Sequence, residues 1–209
     1  MKLVTVYGSP TPPGRLAAAL TAAEKYGMAL DPTLRIERLT PRAGAGSAGN
    51  WAETAVETIE TADAVLISSP VFRASFPAVL KELLDRLPVS ALRSKPVGLL
   101  VVGAAPQHYL AVDRHLGDVL SWFGALRLPV SCFVEAGSID GGAPAPRARA
   151  EIGELVTALI ELTSCVGGRV LGPAPLAARG TQVNAPPAGL STPAQGGVTS
   201  GAGRREPCR

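Results

Sequence analysis

The sequence predicts an α/β sandwich built on a five-stranded parallel sheet in the doubly wound order 2-1-3-4-5. Short apolar runs alternate with longer segments of helical period through residues 1–171, the pattern of strands joined by right-handed helical crossovers. The first, third and fourth runs are near-continuous Val, Leu and Ile, the composition of strands covered on both faces. The second run carries Arg35, Glu37 and Arg38, which places it at an edge.

In chain order, the strands are KLVTVY (2–7), LRIERL (34–39), AVLISS (64–69), PVGLLVV (96–102) and LPVSCFV (128–134). Helical period marks residues 15–27, 51–62, 76–87, 109–126 and 146–162. In this strand order the chain reverses between strands one and three, and ligands of such sheets bind there, at the carboxyl ends of the strands. The loops to read for chemistry therefore follow strands one, three and four.

Composition narrows the function classes. The net charge of +3 lies in the last 38 residues, where four arginines face one glutamate, so residues 1–171 balance at 16 of each sign. A neutral body without a Lys/Arg cluster argues against nucleic-acid binding, which depends on phosphate neutralisation. Cys132, Cys165 and Cys208 form no C-x-x-C pair, which argues against a disulfide framework or a zinc site. The opening MKLVTVYGSP is too short for a signal sequence, and no later apolar run reaches membrane-spanning length; the expected location is cytoplasmic. From residue 172 to 209 Gly, Pro and Ala dominate, and a disordered tail is expected after a single domain of residues 1–171.

Gly44, Gly46 and Gly49 spell G-x-G-x-x-G, but the motif follows the edge strand at a distance, and Asp63 comes before the next strand rather than at its end. It reads as a flexible connection rather than a dinucleotide fingerprint. The loop after strand one, GSPTPPGR, offers Gly8 for a tight turn, hydroxyls on Ser9 and Thr11, and Arg15 as a charged fork at a helix start; it reads either as an anion loop or as an ordinary capped turn. After strand three, Pro70 stops the strand, Phe72 offers a flat apolar surface and Arg73 can offset negative charge developing on a planar ligand. After strand four, Gly103, Ala104 and Ala105 admit close approach of a ligand, and Gln107 and His108 add hydrogen-bonding groups. His115 lies seven residues from His108, and no carboxylate joins them at metal-ligand spacing. Ser69 and Cys132 lack the G-x-S-x-G context of an acyl hydrolase.

GSPTPPGR and the stretch from ADAVLISSPVFRASFPAVLKELLDRLP through HYLAVD resemble the NADPH-dependent FMN reductases, in particular the small flavin reductases of alkanesulfonate monooxygenase systems. The resemblance implies a flavodoxin-like fold, FMN at the carboxyl ends of the strands, and hydride transfer from NADPH or NADH. It assigns the FMN phosphate to Ser9, Thr11 and Arg15, the ring and ribityl chain to Pro70, Val71, Phe72 and Arg73, and the ring and nicotinamide path to Gly103, Ala104 and His108. It implies no catalytic side chain and no metal, because hydride passes directly between stacked rings. It also implies a homodimer or homotetramer and a partner monooxygenase supplied with reduced FMN. Thr11 stands where the family carries an arginine, which suggests an exchanging flavin. A bound-flavin quinone, azo or metal-ion reductase and a non-enzymatic flavin-binding module are the alternatives.

Overall fold

The computed structural model describes residues 1–42 and 50–179. The Gly44–Gly46–Gly49 motif and the tail beyond residue 179 lie outside the described residues. Strand β1 (Lys2–Tyr7) pairs in parallel with β2 (Arg35–Leu39) on one side and β3 (Ala64–Pro70) on the other; β4 (Pro96–Gly103) follows β3. The sheet order is 2-1-3-4-5, as the apolar runs predict.

Because successive strand residues face opposite ways, the three central strands feed two cores. Val4, Val6, Val65, Ile67, Val97, Leu99 and Val101 point into one core. The alternate residues Leu3, Tyr7, Ala64, Leu66, Leu100 and Val102 point into the other. Helix α1 (Arg15–Leu30) and helix α5 (Pro146–Val166) cover the second face through Leu16, Leu20, Ile152, Val156 and Leu159. On the first face lie α2 (Ala55–Glu60), α3 (Ala78–Arg86) and α4 (Ala111–Phe123), with Ile59, Leu80, Leu83, Leu116 and Leu120 buried. Edge strand β2 keeps its charges in water: Glu37 pairs with Lys2 at 3.0 Å, and Arg38 pairs with Glu24 of α1.

The fifth strand departs from the sequence reading. Residues 128–134 do not form one run; β5 (Leu126–Arg127) and β6 (Cys132–Glu135) each pair with β4. The pairs Val97↔Arg127 and Leu100↔Cys132 bracket two residues on β4 and four on its partner. Pro129 has no N–H to donate and Val130 is exposed, so the excess residues loop out where a proline breaks the ladder. Helix α4 is also shorter than residues 109–126 suggested: Leu110 at φ 68° precedes it, and Gly124 at φ 67° ends it in the left-handed cap conformation. A small hairpin of β7 (Ile139–Asp140) and β8 (Ala143–Pro144) turns through Gly141 and Gly142 before α5.

At the other end of the sheet the chain closes on itself. Ser94 Oγ accepts from the Leu171 N–H at 2.8 Å, and Pro175 packs against Gly124. The first residues of the stretch expected as a tail thus lie against the domain, followed by a short helix α6 (Leu176–Arg179).

Beneath this closure Lys95 donates through Nζ to the carbonyls of Ile59 and Glu60 at the end of α2. Burial lowers its pKa from the ordinary 10.5 to about 8, against the opposing pull of Asp63 and Glu60. With the folded value below the unfolded one, the unfolded chain binds more protons between these limits, and stability rises with pH from about 8 to 10.5. Thermal melts across this range should show that rise for the native chain and a flattened profile for Lys95→Met.

Candidate functional site

Strands β1, β3 and β4 end side by side, and the loops leaving them meet. The turn out of β1 is tight: the Gly8 N–H donates to the Ser68 carbonyl of β3 at 2.8 Å. A Cβ at Gly8 would stand 2.5 Å from that same oxygen, so only glycine fits. Ser9 is buried at 2% exposure, and its Oγ lies 2.8 Å from Thr11 Oγ1 while accepting the Thr11 N–H at 3.2 Å. From the end of β1, the Tyr7 hydroxyl donates toward the carbonyls of Thr11 (3.1 Å) and Pro12 (3.2 Å). These bonds shape the loop from both sides.

The loop runs directly into α1. The first backbone bond of that helix runs from the Ala18 N–H to the Gly14 carbonyl, so the N–H groups of Arg15, Leu16 and Ala17 precede the ladder. Gly14 supplies no side-chain cap, and no acidic residue lies in the first turn. Sixteen residues of aligned peptide dipoles, three unclaimed donors and the Arg15 guanidinium make this end of the helix favourable to an anion.

A cavity of ≈ 250 Å³ opens here, lined by Ser9, Thr11, Arg15, Pro70, Val71, Gly103 and Ala104 among others. The structure therefore brings together seven of the ten site residues expected from sequence. Phe72, Arg73 and His108 stand outside the lining, Phe72 and Arg73 directly following Val71, which is in it. Phe72 is 41% exposed rather than core. Phe72 and Ser75 exchange backbone bonds of 2.8 and 3.0 Å, and Arg73 (φ 50°) and Ala74 (φ 60°) form the turn between them. Two successive positive φ values are the pattern of a type I′ turn, which non-glycine residues occupy only under strain. His115 of α4 braces this hairpin, its Nδ1 lying 2.9 Å from Ser75 Oγ.

On the third side, Gly103 is held by packing. A Cβ there would lie 2.6 Å from the Phe133 ring and 3.3 Å from His108 Cβ. Phe133 in turn meets Tyr109 edge to face at 6.0 Å. The Nδ1 of His108 is buried without a partner, an unmet polar group beside the cavity.

Six lining residues were not among the site residues expected from sequence: Pro12, Gly14, Leu16 and Val102, which adjoin expected ones, and Tyr7 and Ala136. A tyrosine ending an otherwise aliphatic buried strand was a signal for Tyr7, since a buried hydroxyl requires a partner. Ala136 follows β6, and the carboxyl-end rule applied to the fifth strand would have reached it.

Hydrolytic readings find no support. Ser69 Oγ donates to the Pro70 carbonyl, and burial pushes the Cys132 thiol up to about 12, far from a reactive thiolate. Among the described residues, no group of three or more His, Cys, Asp or Glu gathers to hold a metal, and no helix is long and apolar enough to cross a membrane.

Comparison with known proteins agrees with this geometry. The chain is 35% identical over 149 residues to FMN reductase (NADPH) of Pseudomonas aeruginosa, covering 66% of this chain and 79% of that one. It is 36% identical over 81 residues to the NADH-dependent FMN reductase SfnF of Pseudomonas fluorescens, a match spanning 39% of this chain and 43% of that relative. Among solved structures, the apo form of the NADH:FMN oxidoreductase EMOB superposes with a TM-score of 0.70 at 23% identity, over 81% of this chain and 94% of that one. The family model for NADPH-dependent FMN reductases matches residues 1–138, the span that carries all three loops of the cavity, and the chain belongs to that family.

Proposed function

We propose that this protein is a flavin reductase that binds FMN in the cavity at the ends of β1, β3 and β4 and passes hydride to it from a reduced nicotinamide dinucleotide. The convergence of the three loops on one cavity, in a chain of this family, carries the reading.

The residues present fit FMN. Unclaimed N–H groups at the start of α1, the Arg15 side chain and the Ser9–Thr11 hydroxyl pair suit a phosphate. Three prolines in the same loop bring no N–H donors, which limits the grip. Gly103 and Ala104 line the cavity with small residues where a flat ring would approach. When bound, FMN supplies the hydride-accepting ring. The chain's own work is to align and shield: Pro70 and Val71 form one wall, and Arg73, two residues after Val71, supplies the positive charge to offset negative charge on the ring. The Val71 and Phe72 amides are already committed to Val102 and Ser75, so charge stabilisation falls to Arg73, the turn amides of Arg73 and Ala74, and the loop after β4.

A loop with three prolines and Thr11 in place of the family's arginine suits a flavin that exchanges and leaves reduced to serve a partner monooxygenase. A cytoplasmic homodimer or homotetramer completes the reading, with exposed Tyr26, Met28 and Leu30 at the end of α1 as one surface for a second copy.

Purified protein mixed with FMN and NADPH or NADH should oxidise the nucleotide in an FMN-dependent manner, followed at the nicotinamide absorbance band. Absence of turnover with both nucleotides would overturn the proposal. Stoichiometric FMN retained through gel filtration, with a quinone reduced faster than free flavin, would instead mark a bound-flavin quinone reductase.

A further inference from the structure

We propose that the groove beside the flavin cavity receives the adenosine 2′-phosphate of NADPH, and that Arg114 and His115 set a preference for NADPH over NADH. The proposal rests on the flavin-reductase reading. It goes beyond family membership, because the relatives above are named for both nucleotides.

The two loops that wall the flavin cavity continue into this second groove. Pro70 and Val71 line the cavity, and Ala74 lines the groove. Likewise Gly103 and Ala104 line the cavity, and Gln107 and Tyr109 line the groove. A ligand with one end over the flavin ring therefore has a shared rim to cross. The groove measures ≈ 640 Å³, within the range of small-molecule sites.

NADPH and NADH differ only at the adenosine 2′ position, a phosphate in one and a hydroxyl in the other. Helix α4 brings Arg114 and His115 into the groove. No ion pair engages Arg114 among the described residues, so its planar fork is available to a phosphate. The His115 ring is fixed by Ser75 through Nδ1, which leaves Nε2 for a ligand. Tyr109, 48% exposed and held edge-on by Phe133, offers a rigid face for a purine. Asp118 lies in the same groove and sets the opposite bias, repelling a phosphate and accepting from a 2′-hydroxyl.

Calorimetric titration of the flavin-free protein with adenosine 2′,5′-bisphosphate and with 5′-AMP isolates the 2′ phosphate from any turnover. The native chain should bind the bisphosphate more tightly. Arg114→Ala should weaken that binding about tenfold, the loss of one charge-assisted contact, with Arg114→Lys intermediate and Asp118→Asn tighter than native. In steady-state assays with FMN the NADPH/NADH ratio of kcat/KM should fall about tenfold in Arg114→Ala. A ratio and a bisphosphate affinity both unchanged in folded Arg114→Ala would overturn the proposal. So would an altered oligomeric state of that variant without a change in nucleotide choice, which would make the groove an interface between copies. If the native chain oxidises neither nucleotide, the flavin-reductase reading falls, and the bisphosphate titration still decides the groove.

Discussion

Gly8→Ala is expected to cost about 3 kcal/mol of stability and to abolish FMN binding together. The Cβ it adds would stand 2.5 Å from the Ser68 carbonyl oxygen. That oxygen is main chain in a buried central strand, paired on both sides, and cannot swing aside as a side-chain tip can. The Gly8 N–H donates to the same oxygen at 2.8 Å, so relieving the clash breaks the bond that closes β1 onto β3. Leu80 of α3 also lies 3.0 Å from the added atom, which removes the other direction of escape. Displacement of Gly8 carries Ser9 along, and with it the Ser9–Thr11 pair proposed to face the phosphate. Denaturant unfolding measures the first effect, and flavin fluorescence titration the second. Native stability with native FMN affinity in this variant would show that the turn has slack the packing denies.

The strands of this fold were legible because their physics is local and redundant. Val4, Ile67 and Leu99 sit in runs so apolar that only burial on both faces explains them, and the charges of Arg35 and Glu37 mark the edge equally plainly. What escaped is written in contacts between segments distant in sequence. Pro129 inside the run was a local warning against one continuous strand, but the resumption of pairing at Cys132 depends on the register with β4, which lies far away in sequence. The strained Phe72–Ser75 hairpin is invisible to propensity: arginine and alanine are not residues that predict a type I′ turn, and the turn is held by its own cross-strand bonds and by His115 some 40 residues away. At the site, the loops after β1, β3 and β4 followed from topology alone, and seven of the ten residues named on them meet in one cavity. Phe72, whose flat apolar face the sequence offers to a ligand, is 41% exposed on the hairpin beside the cavity lining. Tyr7 ends the first strand with its ring buried, and its hydroxyl shapes the loop.

Gly103→Val is expected to separate folding from flavin binding: FMN affinity should fall about a hundredfold, with a loss of stability of only about 1 kcal/mol. Gly103 ends β4 in extended conformation, where a β-branched residue is at ease. Its would-be Cβ meets the Phe133 ring edge at 2.6 Å. Unlike the Ser68 carbonyl beside Gly8, this neighbour is the far end of a partly buried side chain on β6, next to the looped-out residues, and can rotate. The strain is thus relieved at the margin of the first core, against which Phe133 packs half-buried. The cavity has no such relief. A Phe133 ring pushed aside by the added side chain loses its edge contact with Tyr109, which shifts the loop after β4 that lines the cavity through Ala104. Parallel urea denaturation and fluorescence titration with FMN distinguish the cases. Equal losses in both would mean that Gly103 serves the core, whereas lost affinity in a stable protein would mark it as the floor on which the flavin rests.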